Sequence, residues 1–122
     1  MIVLTPRPHL IVDLYGCDAE RLNDCEGLKH LLYRVAREVG ATTIGDIFHQ
    51  FSPHGVTGVL AIAESHISVH TWVESRYAAV DLFLCNSNLT AASVERAVAS
   101  IKEFLHASSA SVSSIQRGAA AL

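Results

Sequence analysis

Three strand-length stretches follow one another between Val56 and Cys85, with only a few residues between them. Val56 to Ala63 is strongly apolar. Ser65 to Trp72 alternates, placing His66, Ser68, His70 and Trp72 on one face and Ile67, Val69 and Thr71 on the other. Tyr77 to Cys85 is the third. Connections this short can turn a chain back on itself, but they cannot carry it across a sheet into parallel pairing. The middle of the chain is therefore expected to form antiparallel strands.

The remaining elements fit around that centre. His9 to Tyr15 (HLIVDLY) reads as an earlier strand ended by Gly16, and Ala41 to Phe51 as another, with Gly45 as the point where pairing can slip. Ser52-Pro53-His54-Gly55 is a turn signal. Asn23 or Asp24 can cap a helix running to about Val39. Its Leu28, Leu31, Leu32, Val35 and Val39 follow the three-four spacing of one face, and Gly40 supplies the stop. Thr90 can cap a second helix with Val94, Ala97, Val98, Ile101, Phe104 and Leu105 as its buried stripe. Ser111 to Gln116 is expected as a last short strand beside a low-complexity Ser/Ala run, and the tail from Arg117 (RGAAAL) is expected to fray. This order predicts an α+β fold: a two-layer sandwich of a mainly antiparallel sheet with two helices on one face. No linker divides it, so residues 1–122 are read as one domain.

Composition limits what such a domain can do. Half of the 122 residues are hydrophobic and 17% are charged, which suits a packed core. Nine Lys+Arg against twelve Asp+Glu give a net charge of −3, and no stretch of sequence is basic, so neither nucleic acid nor an anionic membrane is an expected partner. MIVLTPRPHL lacks the pattern of a signal peptide, and no apolar run spans a bilayer. Cys17, Cys25 and Cys85 are odd in number and lack CxxC spacing, which reads as free thiols in a reducing cytoplasm. A chain this short has little surface for a deep pocket. As an enzyme, it would build its site between subunits or use a compact reactive group.

The most unusual segment is Glu64-Ser65-His66-Ile67-Ser68-Val69-His70-Thr71-Trp72. It sets a carboxylate, hydroxyls and two imidazoles just after a buried strand, where unpaired polar groups are costly. One reading is simply the solvent face of a half-buried strand. A metal site is rejected: His66 and His70 would share a helix face, but on a strand they lie about 13 Å apart. A Ser-His hydrolase stays a weak alternative. Asp81 could orient a histidine, but Ser65 lacks the glycines of a nucleophile elbow.

A third reading comes from resemblance. GVTGVLAIAESHISVHTWVESRYAAVDLFLC, from Gly55 to Cys85, resembles the signature of the small prokaryotic S-adenosylmethionine decarboxylase proenzymes. That pattern is G-V-[ST]-G, then E-S-H-hydrophobic-x-[IV]-H-T-W-P-E, then Y-A-A-hydrophobic-D-hydrophobic-F-x-C. HLIVDLYGCDAERLND and FHQFSPHGVTG also look like family sequence, so the resemblance covers nearly the whole chain. It implies self-cleavage between Glu64 and Ser65 into a β chain, residues 1–64, and an α chain, residues 65–122. Ser65 would become a pyruvoyl group that forms a Schiff base with the substrate amine, in place of pyridoxal phosphate and with no metal. The implied roles are His70 as processing base, Thr57 as a hydroxyl assisting processing, Cys85 as proton donor, and Glu74 and Phe51 as substrate-binding residues, with Phe51 stacking on the adenine. Without the resemblance, Cys85 is a small buried thiol, Phe51 is as readily core packing, and Trp72 reads as structural.

The family also implies a small-molecule substrate feeding spermidine synthesis, and a homo-oligomer of at least two processed protomers. Val73 stands where the family has proline, Arg76 where it has glycine, and Leu84-Cys85-Asn86 where it has T-C-G. These departures leave the processing residues intact and bear on the substrate end. Two alternatives follow: a pyruvoyl-dependent arginine or ornithine decarboxylase from the same family, and an unprocessed, non-catalytic paralogue.

Overall fold

The computed structural model describes residues 7–85 and 88–118. Eight residues build β1 (Pro8–Tyr15), with Leu10, Val12 and Leu14 buried on one face. A four-residue helix, α1 (Ala19–Leu22), precedes α2 (Cys25–Glu38). Four antiparallel strands follow, β2 (Thr43–Gln50), β3 (Val56–Ile62), β4 (His66–Trp72) and β5 (Tyr77–Phe83), with a 3-10 turn at Val73–Ser75 before the last. The chain closes with α3 (Ala91–Leu105) and β6 (Ser109–Gln116).

All pairings are antiparallel, in the order β2-β3-β4-β5-β1-β6. The three consecutive strands at the centre form the expected meander, and β1 comes in beside β5. The sheet's buried face carries Leu10, Val12, Leu60, Ile67, Val69, Val80 and Leu82, packed against Leu28, Leu32 and Val35 of α2 and Val94, Ile101 and Leu105 of α3. This is the expected α+β two-layer sandwich, with the short α1 as a third helix.

Local details follow the chemistry of the residues. Asp24, not Asn23, caps α2, accepting the Gly27 N–H at 2.9 Å. Asn23 instead bridges the Gln50 side chain and the Gly55 N–H, tying the helix start to the 51–55 turn. Pairing of β2 with β3 slips between Thr43 and Gly45, where the glycine had suggested it. Thr90 caps α3 in a reciprocal box with Ser93.

The buried stripe of α3 differs from its periodic reading. Val98 and Phe104 are only partly buried, while Ser93 and Ser100 are buried, the latter donating to Glu38 of α2 at 2.9 Å. β6 begins two residues earlier than expected and pairs along the length of β1. Of the tail, Arg117 and Gly118 follow β6, while residues 119–122 lie outside the described residues, as does Asn86.

Candidate active site

The helices cover one face of the sheet. The other is open, and it carries the alternating polar positions of β4. His66, Ser68, His70 and Trp72 stand there, while Val69 and Thr71 are buried toward the helices. Thr71 is satisfied by donating to the Leu22 carbonyl at 2.8 Å and accepting the Val56 N–H at 2.9 Å. Ser68 is itself buried, between Val59 and Asp81 of the neighbouring strands. The bland solvent-face reading therefore fails at that position.

Register pairs Thr57 with His70 across β3 and β4, and their side chains meet, with Oγ1 and Nδ1 3.1 Å apart. When Nδ1–H donates to the hydroxyl, Nε2 is left free to take a proton. This pair lines an open cleft of ≈ 330 Å³ with Phe51, His54, Gly55, Thr71, Trp72 and Glu74. Phe51 is exposed at its rim and set edge-on to His49, ring centroids 4.6 Å apart. Glu74, from the 3-10 turn, lies 3.4 Å from Nδ1 of His54. Gly55 adopts φ +107°, and a Cβ there would come within 3.3 Å of the Thr71 carbonyl oxygen.

Trp72 stacks on Tyr77, which stacks on Tyr15, with centroids 5.3 and 5.6 Å apart. The Tyr77 hydroxyl donates to Asp13. That hydrogen bond to a carboxylate, with burial second, pushes the phenol up to about 12.

Glu64 and Ser65, expected from the resemblance as the cleavage residues, lie elsewhere. Ala63 and Glu64 form the two-residue turn between β3 and β4, closed by Ile62 N–H to Ser65 O at 3.0 Å and Ser65 N–H to Ile62 O at 3.1 Å. Glu64 is exposed and Ser65 partly so. Cys85 is partly buried two residues past Phe83, which pairs with His66, so it stands at the same end as the turn. The other two thiols are held protonated: burial raises both, and Glu26 and Asp24 add to the effect at Cys25.

From Ser65 to His70 is five residues of strand, about 16 Å. The sequence-predicted residues thus fall into two groups. Glu64, Ser65 and Cys85 share one end of the sheet. Thr57, His70, Phe51 and Glu74 share the other. His54, the partner of Glu74, and the Tyr77–Asp13 pair were not singled out from the sequence. The turn motif Ser52-Pro53-His54-Gly55 was the only signal for the first. Among the described residues, no three His, Cys, Asp or Glu side chains gather in a metal-holding group, and no helix is long and apolar enough to cross a membrane.

The chain is thus an antiparallel α+β sandwich with a hydroxyl–imidazole pair on its open face and a serine closing the β3–β4 turn. The S-adenosylmethionine decarboxylase family profile matches residues 8–118. The S-adenosylmethionine decarboxylase proenzyme of Methanococcus maripaludis (strain C5) is 42% identical over 110 residues, covering 90% of this chain and 88% of its own. That of Caldicellulosiruptor saccharolyticus is 42% identical over 110 residues, covering 90% and 86%. The crystal structure of the adenosylmethionine decarboxylase from Aquifex aeolicus superposes with a TM-score of 0.81 at 34% identity, covering 95% of this chain and 93% of the other. The chain belongs to the S-adenosylmethionine decarboxylase family.

Proposed function

We propose that the protein is a self-processing, pyruvoyl-dependent decarboxylase of S-adenosylmethionine, supplying aminopropyl groups for spermidine synthesis, and that it works as a homodimer. One observation carries the reading. The groups able to move a proton and hold an adenosine sit about 16 Å along β4 from the serine they would serve. One protomer alone cannot join them. A second copy, packed with its open face on the first and turned by a two-fold axis, sets its Thr57–His70 end over Ser65, and the relation is reciprocal.

In this arrangement Ser65 Oγ attacks the Glu64 carbonyl carbon, and the amide nitrogen leaves to give an ester. The partner's His70, held by Thr57, takes the α-proton of residue 65, and the Glu64 carboxylate departs. Water then converts the remaining enamine to a ketone with loss of ammonia. The turn suits such a cut. Two backbone hydrogen bonds close it, while the β3–β4 ladder from Thr57–His70 to Ala61–His66 continues to hold the two fragments together. A ketone at residue 65 supplies the electron sink that decarboxylation requires.

Cys85, at the same end, is placed to return a proton to the carbon that has lost CO2. Phe51 and Glu74 of the partner bound the cleft for the adenosine. Phe51 offers an exposed ring to the base, and Glu74 accepts from the ribose hydroxyls in place of its contact with His54.

Intact mass under denaturing conditions tests processing. The expected result is two fragments, residues 1–64 and 65–122, the second beginning with a keto acyl group, while Ser65→Ala stays whole. Assays with S-adenosylmethionine, arginine and ornithine side by side then test the substrate. Turnover of only a free basic amino acid contradicts the substrate assignment. A wild-type chain that folds yet remains uncut identifies the non-catalytic paralogue.

A further inference from the structure

The cleavage end of the sheet holds two arginines that neither fold nor processing accounts for. His66, Phe83, His9 and Ile115 stand side by side across β4, β5, β1 and β6. Two residues further along β5, β1 and β6, the same register aligns Cys85, Arg7 and Arg117, while Glu64 lies in the turn that precedes β4. Backbone bonds continue the ladder in that direction, Leu84 N–H to Pro8 O at 3.0 Å and Arg117 N–H to Arg7 O at 3.4 Å.

Arg117 lays its guanidinium over the Phe83 ring, 4.4 Å from the centroid, on the open face. Arg7 donates one N–H to the Gly118 carbonyl at 2.8 Å, leaving the rest of its fork unused. Among the described residues, neither arginine forms an ion pair with a carboxylate, and Glu64 forms none with a cation. This end of an acidic chain thus holds two cations that make no ion pair among the described residues.

We infer that Arg7 and Arg117 form a carboxylate-binding pair beside Cys85. A guanidinium fork matches a carboxylate in shape and charge. This inference rests on the processing proposed above, which brings two carboxylates to this place. Cleavage gives Glu64 a new α-carboxylate next to its side chain, on a chain end that leaves β3, three strand spacings, about 14 Å, across the sheet from β1 and within reach of a long side chain after a small shift of the freed end. The substrate brings its own carboxylate to residue 65, on the carbon that Cys85 is placed to protonate. The chemistry of the site is the same for either source.

The test uses processed wild type, R117Q and R7Q/R117Q, with R117K as the conservative control. One arm follows carboxypeptidase trimming of Glu64 from the 1–64 fragment by mass. The other measures KM and kcat for S-adenosylmethionine. Trimming faster by roughly three- to tenfold in the Gln variants, and slower again in R117K, assigns the pair to the freed terminus. A KM raised by a similar factor with kcat held, and trimming unchanged, assigns it to the substrate. Equal trimming and equal KM in all four proteins overturn the inference. R117Q changes one side chain at an exposed position and keeps the test valid where the double variant fails to fold. An uncut wild-type chain refutes the processing mechanism instead, and mass distinguishes that outcome before either arm begins.

Discussion

At the scale of single residues, Thr57 has one task in the proposed mechanism, which is to fix the ring of His70 so that Nε2 faces outward. Replacing it with valine removes one neutral hydrogen bond, and processing should slow by about three- to tenfold, read from the time course of the 1–64 fragment. Cys85→Ala should leave that time course unchanged and lower turnover by about 10²- to 10⁴-fold, since the thiol enters only after CO2 has left. Tyr77 makes a separate prediction. Its phenol titrates near 10 when unfolded and is pushed up to about 12 in the fold by its bond to Asp13. The stability it adds is complete below pH 10 and is lost as pH rises toward 12. Thermal unfolding should therefore fall more steeply across that window in wild type than in Tyr77→Phe. The candidate site residues could be picked out in the sequence through the resemblance, most of them within the E-S-H…H-T-W…C segment and Phe51 and Thr57 just before it. Their distribution could not. A one-dimensional pattern puts Ser65 and His70 five positions apart, and only the extended backbone of β4 turns that into two separate ends of a sheet. His54 escaped notice because its partner, Glu74, lies twenty residues away across a turn.

Among the elements, those with strong periodicity or clear caps could be read directly. The stop after α2 at Gly40 and the start of α3 at Thr90 fall where backbone chemistry places them. The short α1 had no such signal, since four residues make little more than one turn and leave no period to detect. β6 was underestimated because serine and alanine do not alternate in polarity, and its extent is set by pairing with β1 rather than by its own sequence. Thr71 joins elements that are far apart in the chain, since its hydroxyl holds Leu22 of α1 and Val56 of β3. Thr71→Val should cost about 1–3 kcal/mol in denaturant unfolding, because two buried backbone groups lose their partner. It should also loosen the cleft that Thr71 lines.

For the whole molecule, the sandwich leaves an exposed sheet face carrying Ile47, Val59, Tyr15, Trp72 and Ile115 alongside its polar residues. A contiguous surface of this kind is what two copies would cover. A dimer of this kind would meet the constraint of size noted from the chain's length, since it would build two composite sites from two shallow surfaces. The most direct test co-expresses His70→Ala with Ser65→Ala and follows the mass of each chain. Alone, each variant should remain a single uncut polypeptide. Together, the Ser65→Ala chain should lend its His70 across the interface, and the His70→Ala chain should split after Glu64. A His70→Ala chain that stays whole in the mixed dimer, or that cleaves without its companion, would contradict a site shared between two copies.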